Sequence, residues 1–323
     1  MRAMLCEHFD QPLALRDIPS PSIGRGQVRV AVEACGVNFV DGLIVSGKYQ
    51  IRPSLPYTPG FEVAGTIIEL TDDVTDLEVG NRVVATSGLS GGGFAEQVVV
   101  SSSQVFCLPE NMSAGQGATF VQSYCTALFA LTRRIQLREG QTLVVLGASG
   151  GVGRAAVDIG TALGARVIAT ASSDARLDAC EDIAPHARIN YQTEDLKSRI
   201  RALTDGGADV AYDPLGADYS EQAMRALGTD GTLLIVGFAA GSIPRLPGNQ
   251  ILLGNRRVVG VDWGGWRTEH PDLQRSLMDE LLALAAAGKL HPREPASYPL
   301  ASAAQALDDV NQRRIIGKVV LHP

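Results

Sequence analysis

The stretch Leu143–Ser173, "LVVLGASGGVGRAAVDIGTALGARVIATASS", decides the fold. It reads as a short apolar strand, a glycine-rich turn, an amphipathic helix and a second strand, the unit that grips a dinucleotide. The turn runs Gly147-Ala148-Ser149-Gly150-Gly151-Val152-Gly153. Against a G-x-G-x-x-G template, Ala148 takes the first glycine place, and Gly150 and Gly153 take the second and third. Gly150 lets backbone approach a pyrophosphate, Gly153 lets the helix pack closely on the sheet, and the helix N-terminus supplies positive charge to the phosphates.

The end of the second strand separates NAD from NADP. An acidic residue there binds a ribose 2′-hydroxyl, whereas this chain has Ala171 followed by Ser172, Ser173 and, shortly after, Arg176. Hydroxyls and a guanidinium suit a phosphate dianion that a carboxylate would repel. Asp174 is read as a helix N-cap facing away from that phosphate. NADPH is the expected cofactor; the alternative is that Arg176 is an ordinary solvated helix residue.

Outward from this unit, the first third of the 323 residues alternates short strands with turns: "RAMLCEHF", "LALRDI", "QVRVAVEACGV", "FEVAGTIIEL", "NRVVATS" and "FAEQVVV". That pattern predicts a compact β-rich domain. From about Ser113 it changes. "AGQGATFVQSYCTALFALTRR" reads as helix, and the strands "TLVVLG", "RVIATA", "DVAYDP" and "TLLIVGF" then alternate with helices, predicting a parallel sheet covered on both faces. "PDLQRSLMDELLALAAAGKL" reads as a helix capped by Gly288, "ASAAQALDDVNQR" as another helix, and "GKVVLHP" as a closing strand. The expected class is α/β, with a β-rich domain at 1–118, a dinucleotide domain at 119–259 and a return segment at 260–323.

The net charge of −7 argues against a dedicated nucleic-acid binder. Five scattered cysteines contain no C-x-x-C pair, which disfavours a disulfide framework or a cysteine zinc cage. No segment reaches the roughly 18 apolar residues of a membrane span, so a cytoplasmic protein with reduced thiols is expected.

With the nucleotide unit placed, the chain resembles the zinc-free quinone oxidoreductases, the ζ-crystallin-like branch of the medium-chain dehydrogenase/reductase superfamily. The motifs that carry the resemblance are "ACGVNFVDGLIVSGKY", "LPYTPGFEVAGTI", the Leu143–Ser173 unit with its leading glycine turn, "DVAYDPLG", "GTLLIVGFAAG" and "VVGVDWG". It implies a GroES-like β-rich domain formed by both ends of the chain around an inserted Rossmann doubly wound domain, with an active-site cleft between them. It also implies a homodimer built by pairing Rossmann sheet edges. By the family pattern, Ser172, Arg176 and Tyr191 surround the 2′-phosphate. Gly237 and Phe238, after "LLIV", and Trp263, in "VDWG", border the nicotinamide. Thr126 matches a family threonine near nicotinamide and substrate.

Zinc alcohol dehydrogenases of the same superfamily carry a cysteine after "CGV" and a His-Glu pair after "PG". Here Asn38 stands at the cysteine place, and "PGFE" puts Phe61 where the histidine falls, leaving Glu62. Catalytic zinc needs three protein ligands. His8, His186, His270, His291 and His322 show no ligand spacing, so no metal is expected.

Without a Lewis acid, an acceptor that spreads charge by conjugation is favoured, such as a quinone or an α,β-unsaturated carbonyl. Asn38 is the leading hydrogen-bond donor to its oxygen; the alternative is that it accommodates an unusual loop backbone. Tyr49 matches an aromatic family position and is a candidate pocket edge or proton source. Leu43 replaces a companion family aromatic. Trp263 and Trp266 either enclose a flat ring or pack the core. The expected activity is NADPH-dependent hydride transfer to a quinone. The alternatives are an enoyl or enone reductase, with Arg52, Arg245 and Arg267 as candidates for binding a larger acyl-CoA, and a non-catalytic NADPH-binding protein.

Overall fold

A computed structural model describes residues 1–323 and every side chain except that of Leu89. The chain divides into two compact units, Met1–Gln122 with Pro292–Pro323, and Ser123–His291.

The first unit is built on a seven-stranded, mainly antiparallel sheet. Its strands run in the order Ala296–Pro299, Val319–His322, Gln27–Val37, Glu62–Leu70, Arg82–Thr86 and Val105–Cys107. Gln97–Ser101 shares the edge of Gln27–Val37 with Val319–His322, pairing over Gln27–Ala31 while Val319–Leu321 pairs over Cys35–Val37. Along Gln27–Val37 burial alternates as far as Glu33 and is then continuous from Ala34 to Val37. Alternation is the mark of a strand with one wet face. It ends where backbone covers the second face: a Cβ on Gly36 would lie 2.1 Å from the carbonyl oxygen of Ala118. Only glycine permits that approach.

The helix expected over 114–134 is three pieces: Ala114–Gly117, Val121–Phe129 and a wide turn at Ala130–Arg134. Ser113 starts the first with reciprocal bonds, accepting from the Gln116 amide at 3.0 Å and donating its own to Gln116 Oε1 at 2.9 Å. The break follows where Thr119 turns its hydroxyl back onto the Gly115 carbonyl at 3.2 Å, competing with helix bonding.

The second unit carries a six-stranded parallel sheet in the order Ala187–Asn190, Arg166–Ala171, Thr142–Val145, Ala208–Asp213, Leu227–Ile235, Arg257–Gly260. Numbered along the chain this is 3-2-1-4-5-6, the order of doubly wound dinucleotide-binding sheets. The Thr142–Val145 strand is buried throughout, as a sheet covered on both faces requires. Strand Ala187–Asn190, in "HARINY", is too polar and short to stand out in the sequence.

The units meet the chain at 122/123 and 291/292 rather than at 118/119 and 259/260. The later boundary moves because residues 260–291 pack within the second unit. Helix Pro271–Ala286 buries Leu277, Met278 and Leu281 there, and Cys125 Sγ lies 3.1 Å from Met278 Sδ. Among the described residues, no helix is long and apolar enough to cross a membrane.

Candidate functional site

In the second unit, the strand Thr142–Val145 runs into the glycine turn and the helix Gly151–Ala162. Gly147 has φ +59°, which suits glycine, and its carbonyl accepts the Gly150 amide at 3.0 Å. A Cβ on Gly153 would lie 2.2 Å from that same carbonyl oxygen, so the third glycine of the template is a steric requirement. The helix begins at N-cap Gly150 with no side-chain cap, while Ala148 and Ser149 are buried in the turn. The first-turn amides, from Gly151 and Val152 onward, are therefore donors suited to a phosphate. The turn sits at the strand-order reversal, where Leu146 N bonds Tyr212 O at 3.0 Å.

At the end of the next strand, Ala171 is buried and no acid takes its place. The helix Asp174–Asp178 is capped by Ser173, whose hydroxyl accepts the Arg176 amide, and not by Asp174 as the sequence suggested. Asp174 is instead the first helical residue, and its carboxylate accepts from the Asn190 side-chain amide at 3.0 Å. Serine holds the cap because its short hydroxyl reaches that amide; the aspartate is drawn to the neighbouring strand. Tyr191 N bonds Ala171 O at 3.1 Å, bringing Tyr191 to the same strand end as Ser172. Its ring packs 4.7 Å from that of Tyr219. Ser172 and Arg176 are both partly accessible.

Gly237 and Phe238 line a cavity of about 590 Å³ in this unit, together with Phe129, Arg134, Trp266 and Glu269. Trp263 does not line it. It is 7% exposed, its indole N–H donates to Gln274 Oε1 at 2.7 Å, and the Arg267 guanidinium lies 4.8 Å over its ring. Trp266, one helical turn on, is the tryptophan that faces the cavity, packed 4.6 Å from Phe129. Three residues apart, the two side chains are helical neighbours, and only their contacts tell them apart: Trp263 meets Gln274 and Trp266 meets Phe129. Thr126 is half-buried on the helix Val121–Phe129.

In the first unit a polar cluster surrounds Asn38, which is 5% exposed. Asn38 Nδ2 donates to Glu62 Oε1 at 3.2 Å, and Asn38 Oδ1 accepts from the Lys318 ammonium. Lys318 Nζ also lies 3.3 Å from Glu62 Oε1, completing a ring of three side chains. Glu62 Oε2 accepts the Gln122 amide at 2.9 Å. Asp41, fully buried, accepts the amides of Asn38 at 2.8 Å and Gly60 at 3.0 Å. Burial pushes its carboxyl up to about 7, against the pull of those two amides and of Lys318. Burial, then Asp41 and Glu62, push the Cys35 thiol well up, so it stays an inert thiol. Tyr49 is half-buried against the core of this unit.

Sequence reading missed Lys318, which lies 280 residues from Asn38. The signal existed only in the strand register: Val319 pairs antiparallel with Val37, which sets residue 318 beside residue 38. The donor set does not fit zinc. Asn38 and Phe61 stand at two ligand places, and an ammonium already lies against Glu62.

A doubly wound sheet with an uncapped glycine-rich helix start, in one chain with a β-rich unit formed by two segments, defines a medium-chain dehydrogenase/reductase. The family model for the alcohol dehydrogenase GroES-like domain matches residues 24–110, and that for zinc-binding dehydrogenases matches residues 151–282. The chain is 38% identical to the quinone oxidoreductase-like protein 2 homolog of Nematostella vectensis, over 99% of this chain and 88% of that protein. The structure of Escherichia coli quinone oxidoreductase complexed with NADPH matches with a TM-score of 0.90 at 25% identity, covering 100% of both chains. That of the Thermus thermophilus quinone oxidoreductase, solved alone and with NADPH, gives 0.85 at 30% identity, also over 100% of both. The chain belongs to the zinc-free quinone oxidoreductase family of this superfamily, and it is an oxidoreductase.

Proposed function

We propose that this protein is an NADPH-dependent oxidoreductase that transfers a hydride to a quinone without a metal ion. The observation that carries the reading is the end of strand Arg166–Ala171. A buried Ala171 stands where an NAD-binding acid would fall, followed by Ser172, the capping Ser173 and Arg176, with Tyr191 alongside. The glycine turn fits a pyrophosphate, because a side chain at Gly153 would collide with backbone and the helix start has no protein cap. Structures of related quinone oxidoreductases with NADPH support the same cofactor. NADPH, when bound, supplies the hydride.

This chain's residues do the rest. Amides of the first helical turn, from Gly151 and Val152 onward, would hold the pyrophosphate, and Ser172, Arg176 and Tyr191 would select the 2′-phosphate. Gly237 and Phe238 would border the nicotinamide, with Trp266 lining the same cavity and Trp263 one turn away. In the first unit Asn38 is the proposed donor of a hydrogen bond to the acceptor oxygen as negative charge builds there, with Tyr49 its candidate companion; in the second unit Thr126 is the candidate beside the nicotinamide. The exposed edge strand Arg257–Gly260, flanked by exposed Leu252 and Leu253, supports pairing of two copies.

The test is optical: oxidation of NADPH and of NADH by the purified protein, with a flat ortho-quinone in one cell and a short-chain enone or enoyl-CoA in another. Turnover of NADPH with the quinone supports the reading. Turnover confined to the enone replaces it with a carbon–carbon double-bond reductase. Tight NADPH binding with no turnover on either leaves a binding protein.

A further inference from the structure

We propose that Lys318, acting with Glu62, is a positioning residue that locks the Asn38 amide in one flip state, so that the group it offers a substrate is an N–H donor. The inference rests on the reading of Asn38 as the donor to the acceptor oxygen. The argument is one of hydrogen-bond polarity. A side-chain amide carries a carbonyl oxygen and an NH₂ of nearly the same shape, and only its partners decide which end faces which way. Here the oxygen accepts from the Lys318 ammonium, and the nitrogen donates to Glu62 Oε1 at 3.2 Å.

Turning the amide over would set its NH₂ against an ammonium, which has donors and no acceptor. Its oxygen would then meet a carboxylate, which in its ionised form only accepts. Both contacts would become repulsive. The cluster is nearly closed to water, with Asn38 5% exposed and the side chains of Glu62 and Lys318 1% and 17% exposed, so water is poorly placed to replace the lost partners.

In the locked state one Nδ2 hydrogen is used by Glu62, and the second remains to donate. Lys318 also withdraws electron density through Oδ1, which strengthens that donation. The lysine and glutamate charges cancel, so the donor is a polarised but neutral group. That suits an uncharged acceptor that becomes negative at oxygen, as a quinone does, better than an anionic one. The backbone supports the arrangement: the Val319–Val37 pairing places Lys318, and Glu62 is held from its other oxygen by the Gln122 amide.

The experiment compares Lys318→Met, Lys318→Gln and Lys318→Arg, with Asn38→Ala and the Asn38→Ala/Lys318→Met double variant. Two readouts are used. The first is the ¹⁵N side-chain amide resonance pair of Asn38, assigned by its loss in Asn38→Ala and independent of turnover. The second is the single-turnover rate of quinone reduction at saturating NADPH.

Wild type should show one slowly exchanging, widely split amide pair, which collapses towards solvent-like shifts in Lys318→Met and is restored in Lys318→Arg. The rate should fall roughly tenfold or more in Lys318→Met, with NADPH affinity unchanged. The double variant should be no slower than Asn38→Ala alone, because the lysine acts only through the amide. Should Lys318→Met not fold, Lys318→Gln carries the same comparison.

An unchanged amide pair in a folded Lys318 variant would overturn the proposal, as would effects of Asn38→Ala and Lys318→Met that multiply. Failure of the functional reading looks different: unsubstituted protein would reduce no quinone while the amide signature still responded to Lys318.

Discussion

Arg176 and Asp41 show what a single side chain decides. Arg176 is the third residue of a short helix capped by Ser173, which follows the strand end where Tyr191 N bonds Ala171 O. A charge-assisted bond to a phosphate contributes about 1.5–3 kcal/mol. Arg176→Ala should therefore weaken NADPH binding about tenfold to a hundredfold while leaving NADH affinity near its starting value, as titration calorimetry would show. Asp41 has its carboxyl raised by burial from 3.8 to about 7. Between those values the folded chain holds a proton that the unfolded chain has lost. Stability from this group is thus fully present below pH 4 and is lost as pH rises to about 7, by an amount on the order of 4 kcal/mol. Urea midpoints measured from pH 4 to 8 should show that fall, and Asp41→Asn should flatten it from a lower starting stability, since an amide cannot accept both the Asn38 and Gly60 N–H bonds.

Elements, by contrast, show why some of the site was readable and some was not. The strand–turn–helix–strand at Leu143–Ser173 is a local signal, written in contiguous residues whose spacing states the job of each glycine. Gly153→Ala would drive a Cβ to 2.2 Å from the Gly147 carbonyl oxygen. The turn must open to relieve it, so this variant should lose NADPH fluorescence enhancement and a few kcal/mol of stability by chemical denaturation. That Ser172 and Tyr191 come to one strand end was legible for the same reason, since they are strung along one βαβ passage in which Tyr191 N bonds Ala171 O. Trp263 and Trp266 lie one turn apart, and the sequence does not say which of them lines the cavity beside Gly237 and Phe238; tertiary contacts to Gln274 and Phe129 decide that. Lys318 was invisible because its partner choice is set by pairing between strands 280 residues apart, and "GKVVLHP" announces a strand without naming its neighbour. Asp174 illustrates a smaller failure, where two good capping residues adjoin and tertiary bonding to Asn190 picks between them.

The whole molecule is two units with separate cores, one around Val30, Val63 and Leu321, the other around Val144, Ile168 and Leu233. A ligand stabilises what it binds, by about 2.7 kcal/mol at a hundred times its dissociation constant. Hydrogen exchange should show NADPH slowing the amides of Thr142–Val145 and Arg166–Ala171 that exchange by unfolding, by about a hundredfold, with a smaller effect on Gln27–Val37. If two copies pair through the Arg257–Gly260 edge, Val258→Asp should halve the sedimenting mass. The interrupted first unit has a consequence for biosynthesis. As the ribosome delivers the chain from its N-terminus, residues 27–107 can form their sheet early, yet the Cys35–Val37 edge has no neighbour until residues 319–321 emerge. For the time needed to add some 210 residues, roughly ten to forty seconds at 5–20 residues per second, that edge is a bare docking strip for any other nascent strand. The inserted unit, continuous in the chain, meanwhile folds behind it. Lys318 arrives with the strand that closes the strip, so the Asn38 amide is set only once that vulnerable interval has ended.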